Sequence, residues 1–230
     1  MIKALLLDIE GTVGDIAFVR DVLFPYARKR LSETLRMRWS DPAIANIVAE
    51  ASTAAGKPLT SSDAATEQFA AWMAEDRKIT PLKTLQGIIW RGGYVSGELK
   101  AHLYPDAIEA IDAWRKNGLR IFIYSSGSIE AQKLYFAHSV AGDLSGVIEN
   151  YFDTTTGPKA EPASYTKIAQ SIGLVPNDIL FLSDAPAETT AATTARLQVR
   201  RIDRARARDY DAADAGTQVL GSFDTLKALN

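Results

Sequence analysis

Residues 2–7 form a short apolar run that ends abruptly on an acid, in the order Leu5-Leu6-Leu7-Asp8-Ile9-Glu10-Gly11-Thr12. A continuous apolar run of this length, closed by a turn signal, reads as a strand buried on both faces of a parallel sheet. Such a strand delivers Asp8 to its carboxyl edge. Burying an unpaired carboxylate is costly, so the acid calls for a metal ion, a phosphate site or a nucleophilic task. Glu10 lies on the same side of the extended chain as Asp8. Gly11 permits a sharp turn, and the Thr12 hydroxyl can fix it. Taken alone, a strand followed by a turn with solvated acids explains these residues equally well.

The rest of the chain decides between the two readings. From residue 16 to residue 100 the texture is helical, with Phe18, Val22 and Tyr26 at helical spacing, then Ile44, Ile47 and Val48, then Phe69, Trp72 and Met73. Residues 56–63, with Pro58 and several hydroxyl residues, read as a loop. This stretch is expected to be an inserted unit of about four helices. Strands and helices then alternate. Pro105 opens a helix that ends at Asn117-Gly118, and residues 119–124 make a strand that stops at Ser125-Ser126. A helix follows from Ile129, another covers residues 165–172, and residues 179–182 make a third buried strand ending at Ser183-Asp184. Residues 197–202 supply a fourth. Alternation of this kind implies an α/β fold, a Rossmann-like parallel sheet with helices on both faces, in which ligands bind beyond the carboxyl ends of the strands. The expected domains are a catalytic core of residues 1–15 and 101–230 and a helical cap of residues 16–100.

Asp8, Ser125-Ser126 and Asp184 all fall on that carboxyl edge. Asp8 is placed to attack phosphorus, splitting one displacement into two through an aspartyl-phosphate. Glu10 can protonate the leaving oxygen and later take a proton from water. The hydroxyls and amides of residues 125–128 form an anion site at a helix start, although Ser126 or Ser128 as a plain helix cap accounts for the same residues. Lys159, presented between Pro158 and Pro162, can neutralise a transferring phosphate. Asp8 and Asp184 suit Mg²⁺, a hard ion that takes oxygen ligands and keeps waters. Glu188 is either a second-layer acid of this site or an ordinary acid in a helix first turn. The order acid pair, hydroxyls, lysine, acid, each placed after a strand or in a strand-to-helix loop, favours catalysis over coincidence.

These motifs resemble those of the haloacid dehalogenase superfamily, and more closely its enolase-phosphatase E1 family of methionine salvage. The resemblance is carried by Asp8-Ile9-Glu10-Gly11-Thr12, FVRDVLFPYA at 18–27, WRGGYVSGELKAHLYPD at 90–106, YSSGSIEAQKL at 124–134, and residues 157–169 and 181–184. It implies that Asp8 is nucleophile and metal ligand, and that Glu10 contributes a backbone carbonyl to the metal as well as acid/base catalysis. By the same resemblance Ser125 and Ser126 bind the substrate phosphate, Lys159 holds substrate, and Asp184 binds a single Mg²⁺. The implied substrate is 2,3-diketo-5-methylthiopentyl-1-phosphate, enolised and then dephosphorylated; another Mg²⁺-dependent small-metabolite phosphatase of the superfamily is the alternative. The helical insertion would close over the site and exclude water. Phe18, Phe24 and Trp90 are candidates for the methylthio pocket, with packing inside the cap the favoured reading. The chain departs from the pattern at Val13-Gly14-Asp15, where Gly14 is expected to add flexibility, after Asp184 (Ala-Pro-Ala-Glu-Thr-Thr), and in the basic run RRIDRARAR at 200–208.

Composition narrows the partners. Of 230 residues, 47% are hydrophobic and 23% charged, and the net charge of -2 gives no global basis for binding nucleic acid. The basic run is interspersed with Asp203 and Asp209 and reads as a solvated face. The absence of cysteine excludes disulfides, thiolate metal sites and a cysteine nucleophile. Neither His102 nor His138 has a histidine partner at metal-ligand spacing. No stretch reads as a signal peptide or a membrane span, so a cytoplasmic monomer acting on a small phosphorylated metabolite is expected. A metal-free dehalogenase fits poorly with paired acids. A phospho-accepting signalling domain is about half this length and has no helical insertion.

Overall fold

The structure, a computed structural model, describes residues 1–205, 210–214 and 217–229. The chain divides into two compact units, one of residues 1–16 and 100–230 and one of residues 17–99.

The first unit is built on a seven-stranded sheet in the order β3-β2-β1-β4-β5-β7-β6. Its strands are β1 (Ala4–Leu7), β2 (Arg120–Tyr124), β3 (Asn150–Phe152), β4 (Ile179–Ser183), β5 (Gln198–Ile202), β6 (Tyr210–Asp214) and β7 (Thr217–Leu220). All neighbours pair parallel except β6 with β7. β1 is central, with Leu7 level with Ile123 of β2 and Leu182 of β4. Sequence order runs outward from β1 to β3 on one side and through β4 to β5 on the other, so the strand order reverses at β1, and ligands bind at such switch points.

Every residue of β1 is fully buried, as a strand covered on both faces requires. Alternation puts Ala4 and Leu6 in one core with Phe122, Tyr124, Tyr165, Ile168 and Phe181. This core is covered by α8 (Pro162–Ile172) and α9 (Pro186–Thr194). Helices α6 (Pro105–Lys116) and α7 (Ile129–Ala137) contact β2 and β3. Trp114 of α6 is fully buried; its ring lies 5.7 Å from that of Phe223 and its Nε1 donates to the Leu226 carbonyl at 2.7 Å. The expected strands and helices of this unit are present with boundaries moved by up to three residues. The short β3 and the closing β6 and β7 carry no periodic signal in the sequence.

The second unit begins with a helical turn, α1 (Ile16–Phe18, whose first residue belongs to the other unit), and a π-helical turn at Val19–Leu23. Four full helices follow: α2 (Phe24–Met37), α3 (Pro42–Ala55), α4 (Ser62–Ala74) and α5 (Thr80–Ser96). Asp41 caps α3 by accepting the Ala43 amide at 2.9 Å, with Pro42 at the first helical position. The core is Leu31, Leu35, Ile44, Ile47, Phe69, Trp72, Leu85 and their neighbours. The expected stripe of Phe18, Val22 and Tyr26 does not hold. The π turn adds a residue to the helix and breaks the spacing, leaving Phe18 buried and Val22 39% exposed. Phe24 packs on Trp90, with ring centroids 6.2 Å apart, and Trp90 Nε1 donates to the Leu23 carbonyl at 2.8 Å.

Phe69 is fully buried and meets Trp72 edge-on at 5.5 Å. Phe69→Ala is expected to cost about 3–5 kcal/mol, read as a lower urea midpoint in the tryptophan-fluorescence transition.

Candidate active site

The loop after β1 is tight. The amides of Thr12, Val13 and Gly14 all converge on the Ile9 carbonyl at 2.9–3.1 Å, and the Gly11 amide donates to the Gly14 carbonyl at 2.8 Å. Gly11 sits at φ +77°, and a Cβ there would run into the Asp184 carboxylate. Gly14 is not a source of flexibility. A side chain on it would collide with the Tyr135 hydroxyl and crowd the His102 carbonyl, so close packing explains the glycine. His102 Nδ1 accepts the Asp15 amide at 3.1 Å, which fixes the same stretch.

This loop holds Asp8, 3% exposed, with its amide donating to the Leu182 carbonyl of β4 at 3.0 Å. Asp8 Oδ1 receives the Lys159 ammonium at 2.5 Å, and the same nitrogen lies 2.8 Å from Glu188 Oε2. Ser183 Oγ donates to that Glu188 oxygen at 2.8 Å. Lys159 also lies 5.6 Å from the centre of the Tyr124 ring, and its carbonyl accepts the Tyr165 hydroxyl at 2.7 Å. Burial works against its charge, but Asp8 and Glu188 outweigh burial and raise its pKa, so it stays an ammonium. Glu188 is itself raised by burial and then by Asp8.

On the other side of Asp8, Thr12 Oγ1 donates to Asp8 Oδ2 at 3.4 Å and accepts the Asp184 amide at 3.0 Å. Asp184 is raised by burial first and by Asp8 second. Glu10, half-buried, is raised by the same two causes in the same order, which favours the protonated form an acid catalyst needs. Its Oε2 accepts Ser125 Oγ at 3.1 Å. Ser125 is fully buried and also accepts the Gly127 amide at 3.1 Å, while Ser126 is exposed. Ser128 caps α7 by accepting the Ala131 amide. Buried Gln132 holds the loop from behind, donating to the carbonyls of Gly127 at 2.7 Å and Phe152 at 2.9 Å.

The structure therefore brings Asp8, Lys159 and Glu188 into direct contact, and Glu10 with Ser125. Lys159 pairs with two carboxylates, Asp8 and Glu188, and the pKa values of Glu10, Asp184 and Glu188 are all raised with Asp8 among the causes. Oxygen donors with surplus negative charge suit a hard divalent cation. Among the described residues no three His, Asp or Glu side chains form a ready metal cluster. A magnesium ion needs only one or two carboxylates and completes its shell with carbonyls and water. The sequence reading missed Tyr124 beneath Lys159, for which a buried strand residue gives no signal.

A haloacid dehalogenase-like hydrolase model matches residues 2–196. The enolase-phosphatase E1 of Alcanivorax borkumensis is 50% identical over 207 residues, covering 90% of this chain and 92% of that protein. That of Aquifex aeolicus is 51% identical over 199 residues, covering 86% and 89%. This chain belongs to the enolase-phosphatase E1 family of haloacid dehalogenase-like hydrolases. The UTR4 protein of Saccharomyces cerevisiae has a similar structure, with a TM-score of 0.81 at 35% identity over 98% of this chain and 100% of that one.

Gly11→Ala is expected to lower kcat on the order of a hundredfold, because the new methyl displaces Asp184 and the backbone is strained. Circular dichroism and a cooperative melt should show the fold retained while phosphate release falls.

Proposed function

We infer that this chain is the bifunctional enolase-phosphatase of methionine salvage, acting on 2,3-diketo-5-methylthiopentyl-1-phosphate. Membership of the enolase-phosphatase E1 family carries the reading, and the buried Asp8–Lys159–Glu188 contact supplies a chemistry for it. In the enolisation, a proton passes from the carbon next to a carbonyl to water, charge moves onto the carbonyl oxygen, and that oxygen takes a proton back from the hydronium to give the enol. Lys159, held as an ammonium, serves that charge rather than acting as the base.

In the phosphatase half, Asp8 attacks phosphorus. The Asp8–P bond forms as the bond from phosphorus to the substrate oxygen breaks, and Glu10 gives its proton to that leaving oxygen. Glu10, now a carboxylate, takes a proton from water. The water oxygen bonds to phosphorus, the Asp8–P bond breaks, and inorganic phosphate leaves. Ser125 and Ser126, with the amides that follow them, bind the phosphate, which requires the Ser125 hydroxyl to turn from Glu10. Lys159 offsets charge on the transferring group.

We assign one Mg²⁺ to Asp8, Asp184 and the Glu10 backbone carbonyl. When bound it neutralises phosphoryl charge. Every group named comes from one chain, in keeping with a monomer. No helix among the described residues is long and apolar enough to cross a membrane.

Phosphate release and ultraviolet absorbance on the diketone, with Mg²⁺ and with EDTA, test the reading. Metal-dependent phosphate with a transient enol signal supports it. Release only from generic esters would leave a phosphatase of another specificity. Asp8→Asn should abolish turnover in a folded protein. Glu10→Gln should slow breakdown of the aspartyl-phosphate by roughly 10²–10⁴-fold, so that phosphoenzyme accumulates on acid quench. Mg²⁺ should raise the stability of the wild type by about 2.7 kcal/mol at a hundredfold excess over Kd, seen as a higher Tm. An Asp184→Asn variant that kept the full rise would sink the ligand assignment.

A further inference from the structure

The basic run at 200–208 was expected to be a solvated face, and that expectation fails at Arg204; residues 206–209 lie outside the described residues. The Arg204 side chain is 13% exposed. Its Nε and Nη2 both donate to the Thr12 carbonyl, at 2.9 and 2.6 Å. Its Nη1 donates to Asp106 Oδ2 at 2.6 Å, and that oxygen also accepts the Phe223 amide at 2.7 Å. The guanidinium lies between two rings, 4.2 Å from the centre of Tyr104 and 4.7 Å from that of Phe223. Tyr104 in turn donates its amide to the Val13 carbonyl at 2.9 Å.

Two of these partners belong to the loop that carries the chemistry. Thr12 is fully buried, its hydroxyl stands between Asp8 and Asp184, and its carbonyl is held by Arg204. The Thr12 side chain and carbonyl hang on one short stretch of backbone, so holding the carbonyl restrains the Cα from which the hydroxyl reaches Asp8 and Asp184. The two acids it separates repel each other, and burial strengthens the repulsion. A planar fork with aromatic faces on both sides suits this task. Lysine offers neither the fork nor the plane.

We infer that Arg204 is a positioning residue of the catalytic loop: through the Thr12 carbonyl it holds the Thr12 hydroxyl between Asp8 and Asp184. The inference rests on reading Asp8 as the nucleophile. The reach is long in sequence and short in space, since Arg204 and Thr12 are 192 residues apart.

The test compares the full-length wild type, Arg204→Ala, Arg204→Lys and Asp8→Asn with the diketo phosphate and Mg²⁺. A positioning role predicts that Arg204→Ala loses kcat on the order of ten- to a hundredfold while KM moves less than about threefold. Millimolar guanidinium chloride should restore part of that kcat, as it should not for Asp8→Asn. Arg204→Lys should keep the fold and still lose most of the rate, because charge without the fork does not hold the carbonyl. Unchanged kcat in both folded Arg204 variants would overturn the inference. So would a loss of rate that only tracks the folded fraction and does not respond to guanidinium. If Arg204→Ala does not fold, Arg204→Lys decides the matter through its kcat alone. An inactive wild type would instead count against the proposed function.

Discussion

The Lys159 ammonium, wedged between the Asp8 and Glu188 carboxylates, is the contact on which the site depends. Without it, buried acids would face one another across the carboxyl edge of the sheet with no cation between them. One ammonium offsets two carboxylates, Asp8 and Glu188. The aromatic floor supports it, with Tyr124 beneath the ammonium and the Tyr165 hydroxyl on its backbone carbonyl.

The remaining acids divide by surroundings rather than by residue type. Glu10 and Asp184 are both lifted by burial and by Asp8. Glu10 meets a neutral hydroxyl, Ser125. Asp184 meets the Gly11 backbone and, through its amide, Thr12. Thus Glu10 takes a hydroxyl on its carboxyl, whereas Asp184 is tied to the loop through its backbone amide.

Much of this was legible in the sequence because it sits where hydrophobic runs stop. Asp8, Ser125 and Asp184 each end a buried strand, and the period of the chain marks those ends. Lys159 was legible from its proline-flanked loop. What could not be read depends on packing across long separations. Nothing near Arg204 in sequence announces that its target is the Thr12 carbonyl. The stripe that included Val22 failed because a single added residue in a π turn changes the spacing. Three-residue β3 was missed because so short a strand shows no alternation.

β1 precedes both of its partner strands by more than a hundred residues. Its neighbours begin at Arg120 and Ile179, and the whole helical unit is synthesised in between. During that interval an entirely apolar strand leaves the ribosome with both of its hydrogen-bonding edges open, a condition that invites mispairing and calls on chaperones. The insertion that enlarges the protein thus also lengthens the vulnerable period of the strand that leads into Asp8.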